Sequence, residues 1–192
     1  MELEEQLDYL FKNTRSHASY FSIGDKDRKQ REYSELHNFL EAYDSIPELR
    51  GILGGKDEIL SVVTRGRSFA LPDPPDIEIR RIDGSRAGLE ISELVDERSI
   101  SKSEKGEDPF VDWDQKKLVD LLDSRIERKD KKWSEDFEAK VLLFLCDEPF
   151  LGESEVRDLI SDHSISITHF DSVIIFFSPN INAETGEYFI LK

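Results

Sequence analysis

Apolar residues recur along this chain in two rhythms, one helical and one strand-like. Leu3, Leu7, Leu10 and Phe11 fall at helical spacing and predict a short amphipathic helix. Asn13 to Gly24 reads as a connection carrying Tyr20, Phe21 and Ile23. A longer helix starts near Asp25, with Tyr33, Leu36, Leu40 and Tyr43 as one stripe, and ends before Pro47. The rhythm then becomes β-like. Ile59 to Val63 predicts a first strand. Ile77, Ile79 and Ile82 precede Asp83-Gly84, with Leu89, Ile91 and Val95 beyond it. Asp-Gly between alternating runs predicts a hairpin closed by a tight primed turn, both central residues at positive φ.

Beyond Val95, Asp96 to Asp108 mixes charges, serines and a glycine without periodicity and reads as a mobile loop at the sheet rim. A helix from Asp112 or Trp113 to about Trp133 carries Leu118, Leu121, Leu122 and Ile126 on one face. Its C-terminal half is basic (Arg125, Arg128, Lys129, Lys131, Lys132), which the helix dipole alone would favour. Val141 to Cys146 and Val173 to Phe177 are continuous apolar runs, expected as strands buried on both faces. Glu153 to Ser161 is a short helix between them. Tyr188 to Leu191 closes as a strand antiparallel to its predecessor. This order predicts an α/β fold: a mixed central β-sheet flanked by helices on both faces, with an N-terminal helical extension (1–24), a single domain (25–192) and a C-terminal β-hairpin.

Composition changes the picture in one respect. With 26 basic against 42 acidic residues, the net charge is -16, and the field of the whole molecule repels nucleic acid. Arg65, Arg67, Arg80, Arg81 and Arg86 nevertheless cluster around the hairpin, where a phosphate backbone would have to dock. Ordinary exposed ion pairs on an acidic surface would place them there equally well. The lone Cys146 excludes an intramolecular disulfide and lies in an apolar run, as a buried inert thiol would. It fits a reducing cytoplasm. The acidic N-terminus has neither the basic flank nor the apolar core of a signal peptide, and no apolar run is long enough to span a bilayer. A cytoplasmic protein without a membrane partner is expected. His17, His37, His163 and His169 lack zinc-ligand spacing, Gly51 to Lys56 lacks a phosphate-loop pattern, and no nucleophile elbow is present.

The hairpin carries the candidate chemistry. Asp76 opens its first strand and Glu90 sits within the second, so the turn can bring both carboxylates to one end of one sheet face. Converging hard oxygen ligands suit Mg²⁺ or Mn²⁺. Gly88, Glu90 and Ser92 alternate onto one face, leaving small neighbours on either side of Glu90. The competing reading makes Asp76 a strand cap and Glu90 an edge charge paired with Arg80 or Arg86. Glu35 or Glu41 could add a carboxylate from the long helix, although solvated helix charges are the plainer reading.

Pro75-Asp76 on one strand and Glu90-Ile91-Ser92 on the next, followed by a helix and an apolar strand, resemble the PD-(D/E)XK nuclease superfamily. The resemblance spans about residues 30–178 as a restriction-endonuclease-like αβββαβ core. It implies Asp76, Glu90 and the Ile91 carbonyl as ligands of Mg²⁺ or Mn²⁺, and phosphodiester hydrolysis of nucleic acid, DNA ahead of RNA. Arg65, Arg67, Arg80 and Arg86 would contact the phosphate backbone. The family's lysine, which orients or activates the attacking water, is replaced here by Ser92. Lys116 and Lys117 on the following helix are the expected substitutes. Gln115 resembles the glutamine of exonuclease-like members, but Val119 stands where tyrosine often follows. The missing lysine and the net charge open an alternative: an inactive nuclease-fold binding module whose acidic surface engages a basic protein partner, as an inhibitor or immunity-type protein would.

Overall fold

A computed structural model describes residues 39–40, 43, 46–64, 75–108, 111–130, 137–146, 148, 151–177 and 187–192. The expected N-terminal extension, Glu35, Glu41, Arg65 and Arg67 lie outside the described residues. Six strands form one mixed sheet in the order of the chain: β1 (Ile59–Thr64), β2 (Ile77–Arg81), β3 (Arg86–Glu93), β4 (Ala139–Cys146), β5 (Ser172–Phe177) and β6 (Glu187–Ile190). The β3–β4 and β4–β5 pairs are parallel and the other three antiparallel. Among the described residues, four α-helices accompany the sheet: α1 (Pro47–Leu53), α2 (Glu97–Glu104), α3 (Gln115–Asp130) and α4 (Glu153–Ile160).

Alternation along β4 divides the core. Val141, Leu143 and Leu145 face one cluster with Leu49 and Leu53 of α1, Phe39 and Tyr43. Leu142, Phe144 and Cys146 face the other, with Leu118, Leu122 and Ile126 of α3 and Val156 and Ile160 of α4. Both faces are therefore covered, and the parallel strands need no polar side. Cys146 is buried, its thiol 3.6 Å from the Leu151 carbonyl.

Several local expectations need correction. Pro47 does not merely stop a preceding helix; it starts α1, because a residue without an N–H suits the first helical position. The helix stops at Gly54, whose φ of 88° few other residues tolerate. The stretch after β3 is not a structureless loop either. Asp96 accepts the Arg98 N–H at 2.7 Å and so caps α2, an arrangement that rewards Asp before Glu-Arg-Ser. Finally, the hairpin turn is not a two-residue primed turn. The Gly84 N–H donates to the Arg81 carbonyl and the Arg81 N–H to the Ser85 carbonyl, with positive φ at Gly84 but not at Asp83. This is a turn closed by a left-handed glycine, and Ile82 is left exposed at its tip. In the earlier stripe, Phe39 rather than Leu40 is fully buried, stacked 6.2 Å from Tyr43 and edge-on to Phe176 at 5.7 Å.

Candidate active site

β2 runs out one residue before β3 needs it. The last registered pair is Ile77 with Leu89, so Asp76 lies beside Glu90 at the frayed end of the ladder. Ile91, beyond that end, lacks a strand partner on the β2 side. Its N–H donates instead to Asp76 Oδ2 at 2.8 Å, and its carbonyl accepts from Lys129 Nζ at 3.2 Å. The same ammonium contacts Glu90 Oε1. Asp76, Glu90, the Ile91 carbonyl and Lys129 thus converge, although they come from β2, β3 and the end of α3.

Glu90 is only 5% exposed, and its second oxygen, Oε2, is buried without a hydrogen-bond partner. Burial raises its pKa above the usual carboxylate range, and the neighbouring Asp76 charge adds to that. The Lys129 charge and hydrogen bond oppose the rise without cancelling it. One ammonium therefore leaves the pair of carboxylates short of positive charge.

Lys129 was not among the expected site residues. It is the penultimate residue of α3, and that helix end is held by Asp130, which accepts the His169 N–H at 2.9 Å. Leu118, Leu122 and Ile126 are the buried stripe of α3, and Lys129 continues it one turn further on. That continuation was the available signal.

Other expectations fare differently. Lys116 is 13 residues from Lys129, about 20 Å along the helix axis. Its ammonium is exposed and paired 2.5 Å from Asp120, not directed to Glu90. Lys117 also points elsewhere, 2.7 Å from the buried Asp96 and 4.5 Å from the Trp113 ring centroid. Gln115 is exposed rather than directed at the sheet, because Asp114 caps α3 through the Lys117 N–H and leaves Gln115 in the solvent-facing first position. Val119 is buried in the core. Ser92 is buried on the Glu90 face, opposite Phe144 on β4.

Arg80 and Arg86 do not pair with Glu90. Both reach Glu78, a fully buried carboxylate, at 2.8 and 3.7 Å, and Arg86 also stacks on Phe137. They lie on the Asp76 face, about 13 Å further along the paired β2 and β3 at the usual strand rise. Arg81 alternates to the other face and binds the Ile52 and Leu53 carbonyls at the end of α1, which removes it from the arginine cluster.

Two observations bear on whether these donors fit a divalent cation. Among the described residues, no group of three or more His, Cys, Asp or Glu side chains is arranged to hold a metal. Two carboxylates, one with an orphaned buried oxygen, and a backbone carbonyl nonetheless form an oxygen-only set, which suits a hard cation that keeps several waters. No helix among the described residues is long and apolar enough to cross a membrane. No family model, curated protein or solved structure matches this chain.

Proposed function

We propose that this protein is a divergent PD-(D/E)XK-like phosphodiesterase. Asp76, Glu90 and the Ile91 carbonyl would hold Mg²⁺ or Mn²⁺, and Lys129 would stand in for the cation lost at Ser92. The observation that carries the reading is the buried Glu90 carboxylate beside Asp76, with one oxygen bound to Lys129 and the other unpartnered. Asp76 is exposed and Glu90 is ion-paired, but a buried carboxylate with a second carboxylate beside it is costly, and groups so perturbed concentrate where a cation or a reaction compensates them. The strand order with two antiparallel pairs followed by a parallel one supports the αβββαβ core, but only as an arrangement.

When bound, the ion would acidify a water and screen the scissile phosphate. The chain's own groups do the rest. Asp76 and Glu90 fix the site, with Asp76 oriented by the Ile91 N–H. Lys129 places positive charge beside Glu90, where charge develops on the phosphoryl oxygens. Arg80 and Arg86, held by Glu78, lie far enough along the paired β2 and β3 to contact a neighbouring phosphate of the nucleic-acid strand rather than the reacting one.

The test is cleavage of labelled single- and double-stranded DNA and RNA in Mn²⁺ by the full chain, with Asp76→Ala and Glu90→Ala alongside. DNA cleavage that drops at least about a hundredfold in each variant is the expected result, the usual scale for removing a group that stabilises transition-state charge. Cleavage insensitive to both substitutions would remove the site assignment. The second reading, a cleavage-inactive module that binds a basic protein, is favoured by the net charge of -16 and by the ammonium already seated on Glu90. Absence of cleavage on every substrate, with retained folding, would select it.

A further inference from the structure

Lys129 touches two of the three oxygens assigned to the cation, Glu90 Oε1 and the Ile91 carbonyl. A buried carboxylate stripped of its counter-ion costs several kcal/mol, so the metal-free protein needs a positive charge at this point. The ammonium supplies it from a flexible four-carbon stem, not from a rigid fork that would lock onto the carboxylate. Its side chain is 18% exposed, against 6% for Glu90, so part of it already meets solvent. Glu90 Oε2 stays unengaged while Lys129 is in place.

We infer that Lys129 is a built-in counter-ion that a divalent cation displaces: it satisfies Glu90 and Ile91 in the metal-free protein and swings off them when the ion binds. The inference builds on the metal-centre reading above. It gives one residue two successive tasks. Before loading, the ammonium offsets part of the carboxylate charge at the frayed end of the β2–β3 ladder. After loading, it is released but tethered within a side-chain length of the site, where it can meet the phosphate. A salt bridge that only stabilises the fold would have no such competition with metal.

The experiment is Mn²⁺ titration by calorimetry, with thermal unfolding in the presence and absence of Mn²⁺, on the full chain and on Lys129→Met, Lys129→Arg and Glu90→Gln. Removing the competitor in Lys129→Met should tighten Mn²⁺ binding about ten- to a hundredfold, the worth of one or two charge-assisted hydrogen bonds. That variant should also melt lower without metal and gain more from Mn²⁺ than the wild type. Lys129→Arg keeps the charge and should fold, but its bidentate grip should weaken Mn²⁺ binding about tenfold. Glu90→Gln should abolish binding. Unchanged or weaker binding in Lys129→Met, with normal binding in the wild type, overturns the exchange and leaves the metal centre standing. If Lys129→Met does not fold, equal or tighter binding in Lys129→Arg overturns it instead. No Mn²⁺ binding by the wild type or by any variant overturns both.

Discussion

Replacing Arg81 with alanine should destabilise the fold without touching phosphate recognition, although the residue sits among the arginines that a sequence reading assigns to nucleic acid. Its guanidinium donates to the Leu53 carbonyl at 3.0 Å and to the Ile52 carbonyl, two of the acceptors left open at the end of α1. It also reaches Ser85 Oγ at 3.1 Å, which ties α1 to the hairpin turn. The side chain is only 15% exposed, whereas its ion-pair partner Glu138 is 65% exposed, so that pair adds little. A hydrogen bond to a charged donor contributes about 1.5–3 kcal/mol. Counting only the two helix carbonyls at the low end gives a loss of about 3 kcal/mol. For a chain of this size, that lowers the melting temperature by about 6–12 °C. Urea unfolding should show a lower midpoint with an unchanged slope, as expected when the native state weakens without changing its exposed surface. The milder substitution Arg81→Lys keeps the charge but not the fork and should fall between. The salt dependence of oligonucleotide binding should not change. A destabilisation below about 0.5 kcal/mol, together with a salt slope reduced by about one, would refute the capping argument and return Arg81 to the phosphate contacts.

Two further predictions concern the buried polar cluster at the carboxyl ends of β3 and β4. Burial raises the Glu148 pKa, and the Trp113 indole and the Asp96 backbone N–H only partly oppose it. The folded state therefore holds that proton more tightly than the unfolded chain, and stability falls as pH rises above the ordinary carboxylate value. Glu148→Gln should stabilise the protein at neutral pH, change little near pH 4, and flatten stability against pH in denaturant titrations. Asp96 behaves oppositely: burial pushes its pKa up, but the Lys117 hydrogen bond, the Arg98 N–H and both positive charges outweigh it, leaving the pKa lowered. Its contribution is present above the ordinary carboxylate value and lost as pH falls through the lowered one. Lys117→Met strands a buried carboxylate and should cost about 3–5 kcal/mol, with acid unfolding moved to higher pH by circular dichroism.

The elements that sequence revealed are those whose neighbours matter least. Val141 to Cys146 and Val173 to Phe177 are apolar at every position because both sheet faces are covered, so composition alone marks them. Asp76 and Glu90 could be paired because a hairpin converts short sequence separation into adjacency. Glu78 was missed because alternation explains where a strand side chain points but not that a charge will be buried with two arginines above it. Lys129 was missed because its contact spans 39 residues and depends on how α3 returns across the sheet. Its basic neighbours also had a sufficient explanation in the helix dipole. The stripe Leu118, Leu122, Ile126 was legible, and its extension to Lys129 was a polar irregularity on a buried face, as was the half-buried Arg125. Lys116 failed for a local reason: it is two residues from Leu118 and so turned away from the sheet.

The serine at position 92 follows from where Lys129 sits. Ser92 shares the face of Glu90, is buried, and pairs in register with Phe144, a member of the cluster that α3 covers. A lysine there would have to thread its stem between that cluster and Glu90 to reach the carboxylate from the strand. Lys129 reaches the same carboxylate from the helix overhead. Two ammonium groups about 5 Å apart would repel by roughly 3 kcal/mol at the effective dielectric of a partly buried site. Glu90 Oε1 and the Ile91 carbonyl already accept from Lys129, so a second ammonium would be left with Oε2 alone. The strand and the helix are alternative sources of one positive charge, and a small hydroxyl residue at position 92 is what remains compatible with the helical source.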